Sequence, residues 1–362
     1  MTRDDGRNID PRMGALTGEA ASQAVLATNR DITLRSQAFP YVPSRQSWDS
    51  PTYYDHPMLK QPPWIWSIPL YFYVGGVAGA GAAFGAAAQL IAPRAMHSLI
   101  MQSRWIATLG GALSAALLIH DLGRPARFLN MLRVFRVSSP MSIGSWILTL
   151  FSSAAGAAAL LRSGPRICQP LANAFGLIAG VLGLGLAGYS GVLLSQTAVP
   201  LWKASYRITP VLFLSSASAA AASFFEFFQL NSREASAIEW FGSVSKMTEL
   251  AASFALEANA RRIERVGRPL ISGFGGFLWQ SAKVFTVARA VISIVPGKSR
   301  SKRVVVGVLG SLSGICLRFG LFYAGKSSAR DPRASFEQQR KVESPTLNAV
   351  FASSSGSREP LA

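Results

Sequence analysis

The chain has 362 residues, a mean hydropathy of +0.27 and 15% charged residues, whereas soluble domains carry roughly a quarter. The net charge of +18 would suit a nucleic-acid partner. Most Lys and Arg, however, lie in short loops between long apolar runs or in the tails, which is typical of a membrane protein and argues against binding to nucleic acid. The chain has two cysteines without a CxxC spacing, which argues against an iron–sulfur cluster or another metal site. It has three histidines, and only His120 lies at membrane depth, which argues against a haem in this chain.

The first 60 residues predict a disordered polar arm. They are mixed in charge and rich in Ser, Pro, Asn and Asp. They contain no apolar core of the kind a signal peptide needs, so we expect insertion to depend on the first spanning helix. Prolines in residues 56–63 block regular helix, and Trp64 and Trp66, which follow, suit the membrane interface.

Eight apolar segments follow, each near the ~20 residues that cross a bilayer. They are rich in Gly, Ala and Ser, which lets neighbouring helices approach closely in lipid. The sixth and seventh also carry charges near their centres. The predicted helices are 64–91, 98–121, 143–161, 171–195, 210–230, 235–256, 270–295 and 304–324. We therefore expect an all-α integral membrane domain at 61–325 and a basic, disordered tail at 326–362.

Lys and Arg near the spans predict the orientation. An even number of spans puts both termini on one side, and that side carries more basic residues. This pattern predicts a multi-pass membrane protein with both termini in the cytoplasm.

The most informative segment, residues 120–128 (HDLGRPARF), ends the second predicted helix. Gly and Pro stop the helix and turn the chain. Asp121 lies at the membrane edge, with Arg124 and Arg127 just beyond it. Either Asp121 is a proton-accepting carboxylate beside a polar headgroup, or it pairs with one of these arginines and fastens a loop.

Two later segments surround aromatic residues. Residues 139–146 (SPMSIGSW) contain Ser and Pro at positions that favour a helix start. Tyr189 lies between two glycines near the end of the fourth helix. Because a Tyr hydroxyl in lipid needs a hydrogen-bond partner, it contacts either a ligand carbonyl or another helix.

Charged residues inside the predicted spans allow two interpretations, a proton path or ion pairs that lock helices together. Lys246 and Glu249 share a helix face and are positioned for an internal pair or a proton step. Lys283 and Arg318 need anionic partners, and Glu226 is a candidate for either. The full set is Arg104, Glu226, Lys246, Glu249, Lys283 and Arg318.

The motifs HDLGRPxRF, SPMSxGSW and GYSGxLLSxTxxPLW, with the start of the fifth helix and Arg318, resemble the NrfD/PsrC family over residues 64–332. This resemblance implies eight helices in two four-helix bundles and no haem in the subunit. It also implies a quinone or quinol site in the first bundle, beside a four-cluster ferredoxin-like iron–sulfur subunit. That partner serves a molybdopterin or multihaem subunit.

The resemblance further implies which residues form the quinone site. Menaquinone or ubiquinone would be the bound substrate, and Asp121 or His120 would accept the protons released by quinol. Tyr189 would hydrogen-bond a quinone carbonyl. The implied quinone-binding residues are Tyr189, Trp64, Trp66, Arg124 and Arg127.

On this interpretation the chain is a subunit without a redox centre of its own, exchanging electrons between quinone and the partner's clusters. One alternative is a passive membrane anchor whose pocket has decayed. Another is a secondary transporter, which predicts helices broken at mid-membrane. The predicted second, third, fourth, sixth and eighth helices contain no central Pro, which disfavours the transporter. In several family complexes the partner lies outside the cytoplasm beside the HDLGRP loop, whereas the charge pattern places that loop inside.

Overall fold

A computed structural model describes residues 9–10, 15–16, 59–124, 126–294 and 299–338. In the first two ranges, the short strands β1 (Ile9–Asp10) and β2 (Ala15–Leu16) pair antiparallel, with Ile9 opposite Leu16. Most of the predicted polar arm and the last part of the predicted tail lie outside the described residues. The longer ranges are almost entirely helical.

Eight long helices lie within the described ranges, close to the eight predicted segments. Five spans are long and apolar enough to cross a membrane: α1, α2, α3, α8 and residues Arg166–Ser195, which comprise α4 and the turn before it. α5 is apolar but shorter. The chain is therefore an all-helical, multi-pass membrane protein. The helices are α1 (Ser67–Ile91), α2 (His97–Leu122), α3 (Pro140–Arg162), α4 (Gln169–Ser195), α5 (Thr209–Phe225), α6 (Ser232–Arg261), α7 (Gly273–Ile294) and α8 (Arg300–Arg330).

Local sequence explains several helix ends. At α3, Ser139 accepts a hydrogen bond from the backbone N–H of Ser142 at 3.4 Å, as the SPMS motif predicted. At α6, Asn231 and Glu234 form a capping box. α2 stops at Gly123, whose φ of 69° suits glycine. α8 continues to Arg330, past the boundary at residue 325 that the sequence predicted, and residues 332–338 are also helical.

Small residues set the helix spacing. Gly79 of α1 and Gly183 of α4 face each other so closely that a Cβ on either would collide with the carbonyl oxygen of the other. α1 packs against α2 and α4, and α3 packs against the same two helices. α5 packs against α6 and α8, and α7 packs mainly against α8. Because α1 also contacts α5 and α8, it joins the first four helices to the last four.

Candidate functional site

Asp121 connects the end of α2 to the start of α1. Its Oδ1 accepts hydrogen bonds from the backbone N–H of Ile65 at 3.0 Å and from the Ser67 hydroxyl at 3.4 Å. Among the residues that the structure describes, Asp121 forms no ion pair with Arg124 or Arg127. The pairing that their proximity in sequence allowed is therefore not formed, and the carboxylate fastens the first helix instead.

Aromatic side chains surround this junction. Trp66 is 50% exposed, and its ring centroid lies 5.6 Å from that of His120, which is also exposed. Trp64 stacks on the buried Trp202 at a centroid distance of 6.2 Å, and Trp202 stacks on Phe322 of α8 at 6.4 Å. Trp64 is thus packed inward, while Trp66 and His120 remain open to the surroundings at the same end of the molecule.

Lys326 adds a polar link at this end. Its ammonium group donates a hydrogen bond of 2.7 Å to the carbonyl oxygen of Trp64. The indole N–H of Trp202 donates to the carbonyl oxygen of Leu321 at 3.0 Å. The last helix therefore holds the segment that leads into the first.

Tyr189 lies inside the first four helices. Its side chain is 7% exposed, and its ring covers Gly144 of α3 so closely that any Cβ at residue 144 would overlap it. Within the described ranges the Tyr189 hydroxyl has no hydrogen-bond partner in the protein. The SPMSIGSW motif thus has a function that sequence reasoning missed, because its glycine makes room for Tyr189.

A further unpaired hydroxyl lies deeper in the same interior. Ser114 of α2 is fully buried, and its Oγ has no partner among the described residues. Gly75 of α1 lies between Ser114, Tyr71 and Leu186. A Cβ at residue 75 would lie 3.3 Å from Ser114 Oγ and 3.6 Å from the Tyr71 ring. Ser114 is two helical turns, about 10 Å, from Asp121 along α2. The interior below Asp121 therefore presents hydroxyl groups that are free to bond a ligand.

Arg124 and Arg127 do not belong to that interior. Both side chains are exposed on the α2–α3 connection, where the short helix Ala126–Met131 also exposes Leu129. The structure therefore brings Asp121, Trp66 and His120 together, with Tyr189 in the interior below, and leaves both arginines on the surface.

In the last four helices, Glu249 lies at the centre of a polar group. Its side chain is 2% exposed, and its carboxylate accepts hydrogen bonds from Ser216 at 3.5 Å and Ser313 at 3.4 Å. Arg318 donates to the same Ser216 hydroxyl at 2.9 Å, and Thr286 contacts Ser313 at 2.5 Å. Side chains of α5, α6, α7 and α8 thus form one connected network.

Three pairings that the sequence left open are not formed. Lys246 donates to Ser293 at 3.3 Å and does not pair with Glu249. Glu226 pairs with Arg303 at 2.8 Å, not with Lys283 or Arg318, because it lies at the end of α5 beside the start of α8. Lys283 pairs instead with a carboxylate that the sequence reasoning overlooked, Glu257, at 2.5 Å.

The overlooked residues had recognisable signals. Glu257 follows the predicted end of the sixth helix, whereas α6 continues for another turn and places it beside α7. Arg289 lies within the predicted seventh helix and is 2% exposed. It donates to the carbonyl oxygen of Ala219 at 3.0 Å and contacts Ser223, while its Nε and Nη2 have no partner among the described residues. A small cavity between α6, α7 and α8, too narrow for a water molecule, is lined in part by Glu249, Ser253, Lys283 and Thr286, so the Glu249 network and the Lys283–Glu257 pair lie near each other.

Comparison with known proteins identifies the family. None of the curated proteins searched matches the sequence. The profile of the family described as polysulphide reductase, NrfD matches residues 56–328, well over half of the chain. The match covers all of α1 to α7, most of α8, the Asp121 junction and Tyr189. No group of three His, Cys, Asp or Glu in the described ranges is arranged to hold a metal ion. On its helices and this match, the chain belongs to the polysulphide reductase NrfD family, whose members are membrane subunits of respiratory oxidoreductase complexes.

Proposed function

We propose that this subunit binds a quinone or quinol among α1, α2, α3 and α4 and exchanges electrons with the clusters of an iron–sulfur partner. One observation carries the proposal: among α1 to α4 the Ser114 hydroxyl is buried without a hydrogen-bond partner in the described residues, and Tyr189 is buried closer to the end that carries the Asp121 carboxylate. Unpaired polar groups in an apolar interior cost free energy unless a ligand or water bonds them. A quinone headgroup offers two carbonyl oxygens on an apolar ring, which suits such a site.

The chain's own residues would act as follows. The Tyr189 hydroxyl donates a hydrogen bond to one carbonyl oxygen and orients the ring. Asp121 or the nearby His120 accepts protons from quinol and passes them to the exposed surface at this end. Trp66 covers the opening and limits access of water. The electrons leave to the partner, because oxidation of quinol releases two electrons and two protons.

The packing of the helices supports two four-helix bundles that cross the membrane. α1, α2, α3 and α4 contact one another in a ring, and α5, α6, α7 and α8 form a second group. The eight-helix crossing includes α6 and α7, whose charges pair or bond within the second group. Both termini then lie on one side, the cytoplasmic side of a prokaryotic inner membrane according to the loop charges.

The second bundle is proposed to carry protons. Arg318 is connected to Glu249 through the Ser216 hydroxyl, and Lys283 lines the same small cavity as Glu249. Lys246 and Glu226 lie off this line, bonded to Ser293 and Arg303. Glu249 is therefore the central proton carrier of this proposed path, and Lys246 and Glu226 lie beside the path.

The exposed α2–α3 connection is the proposed docking surface for the four-cluster iron–sulfur subunit, which in turn serves a molybdopterin or multihaem subunit. Arg124 and Arg127 lie there beside the quinone site and are free to bond an acidic partner surface. Short distance between quinone and cluster favours electron transfer, so the partner must cover this end.

The test is quinol-linked electron transfer in the purified complex with Tyr189→Phe, which removes the hydroxyl and keeps the ring. We expect a fall of about tenfold or more, because a hydrogen bond to the reacting carbonyl is lost. Tyr206→Phe is the matched control, since Tyr206 is exposed and bonded only to the neighbouring Arg207. Unchanged rates together with no protection of Tyr189 by a quinone analogue would leave a passive anchor as the function of this subunit.

A further inference from the structure

At the opposite end of the first four helices, a buried arginine lacks a counter-charge. Arg104 of α2 is 7% exposed. Its Nη2 donates to Gln89 Oε1 at 2.9 Å and to Asn173 Oδ1 at 2.7 Å. Both acceptors are neutral amides, and the Nε atom has no partner among the described residues. Amide oxygens orient a guanidinium group but leave its charge uncompensated.

A second arginine at this end has the same kind of environment. Arg162, in the last turn of α3, donates to Gln169 at 2.7 Å and contacts the ring nitrogen of His97 at 3.4 Å. Its charge repels that of Arg104. Neither arginine forms an ion pair with any carboxylate in the described ranges. Because a buried or half-buried cation costs several kcal/mol without an anion, this end of the bundle favours an anion that the described residues do not supply.

A cavity beside Arg104 provides the place for it. The cavity lies between α1, α2, α3 and α4, and its lining includes Gly85, Gln89, Ser103, Ala158 and Gly176 in addition to Arg104. Gly176 keeps the space open, because a Cβ there would lie 3.3 Å from Arg104 Nη2 and 3.4 Å from Nε. Asn173, one turn before it on α4, is exposed. One of the two amides that hold Arg104 is therefore accessible from the surface of α4.

The depth and the rim of the cavity suit a lipid headgroup. Arg104 lies seven residues into α2, about 10 Å from the helix start, and its guanidinium group bonds Gln89 near the end of α1 and Asn173 near the start of α4, so the side chain extends toward the headgroup region. Arg94 and Arg166, in the connections that flank the cavity, are exposed and add positive charge. Basic pockets between membrane helices bind anionic headgroups, and a guanidinium group matches phosphate oxygens in geometry.

We infer that Arg104 binds a phosphate oxygen of an anionic phospholipid, at a site distinct from the proposed quinone pocket and at the other end of the same four helices. The phosphate oxygen takes the free Nε–H of Arg104, while Gln89 and Asn173 hold Nη2. The lipid stays at the α1–α4 opening, and Arg162 and the exposed arginines of the rim supply further attraction.

The experiment is native mass spectrometry of the full-length chain, stripped of lipid in detergent and then titrated with phosphatidylglycerol, phosphatidylcholine or inorganic phosphate. We expect one tightly held phosphatidylglycerol in the unaltered chain. Arg104→Gln should weaken its retention at least about tenfold, because a buried charge pair is lost. The matched control is Arg233→Gln, which removes one exposed charge at the same end, at the start of α6 and away from the cavity, and should leave that first lipid in place.

Gly176→Ala keeps every charge and fills the space beside Arg104, so it should also weaken phosphatidylglycerol retention. Size-exclusion elution and circular dichroism would reveal whether Arg104→Gln folds. If it does not fold, phosphatidylglycerol retention by Gly176→Ala tests the inference in its place. Equal retention in Arg104→Gln and Arg233→Gln, retention unaffected by Gly176→Ala, or equal binding of phosphatidylcholine would overturn the inference. So would displacement of the lipid by inorganic phosphate at equal concentration, which would indicate a site for a free anion.

Discussion

Gly144 offers a precise test of how the first bundle positions Tyr189. A Cβ at residue 144 would overlap the Tyr189 ring, so Gly144→Ala forces the ring to move or α3 to shift. Forcing an extra methyl group into a packed interior costs about 1–3 kcal/mol. If that cost falls on the arrangement in which the hydroxyl reaches the quinone, the productive population drops by a factor of roughly 5 to 150.

The assay is quinol-linked electron transfer by the assembled complex, with the amount of assembled subunit measured in parallel. Gly156→Ala is the control within the same helix, since nothing lies within 4 Å of a Cβ at that residue. Gly144→Ala combined with Tyr189→Phe should be little worse than the more damaging single change, because both act on one hydroxyl. Equal turnover of Gly144→Ala and Gly156→Ala would refute the assignment of Gly144 as the residue that makes room for Tyr189.

Three further predictions separate structural from chemical functions. Asp121→Asn keeps an oxygen for both hydrogen bonds to the start of α1, so the thermal unfolding midpoint should change little while quinol oxidation falls. Asp121→Ala removes both hydrogen bonds and should also lower stability by about 1–3 kcal/mol. Glu249→Gln keeps an oxygen that accepts the hydrogen bonds of Ser216 and Ser313, but the amide cannot bind a proton. Proton release coupled to turnover should therefore fall more than electron transfer does. A parallel fall of both would contradict a proton path. Glu257→Gln leaves the ammonium group of Lys283 without its carboxylate in a mostly buried position and should cost about 3 kcal/mol of stability. Glu337→Gln, which removes the carboxylate of an exposed pair with Arg265, should cost less than about 1 kcal/mol. Similar unfolding midpoints for the two variants would count against a stabilising buried pair.

The helices were predictable because the bilayer imposes a length on each apolar run. α1 to α4 and α8 have the length and hydropathy to cross, and the bounds of α1 to α4 follow the apolar segments closely, whereas α8 extends beyond its predicted segment at both ends. Caps were also local, as Ser139 at the start of α3 illustrates. The extension of α6 to Arg261 was missed, because a polar last turn does not differ in composition from a loop.

The partners of the charged residues were not predictable, because they depend on which helices meet. Asp121 bonds Ile65 and Ser67, more than 50 residues earlier in the chain, although two arginines lie within six residues of it. Lys283 pairs with Glu257 only because α6 and α7 pack side by side. Helical periodicity places a charge on a face, but it does not say which neighbouring helix that face will contact.

The contacts of Trp64 have a consequence for biogenesis. This residue precedes the first span, yet it stacks on Trp202 and its carbonyl oxygen is held by Lys326 of the last span, 262 residues later. During synthesis the ribosome must therefore release nearly the whole membrane domain before the leading segment reaches its final position. A chain truncated before α8 is expected to insert but to leave Trp64 accessible to a membrane-impermeant quencher, so that incomplete subunits carry an unfinished quinone site and do not draw electrons from the membrane.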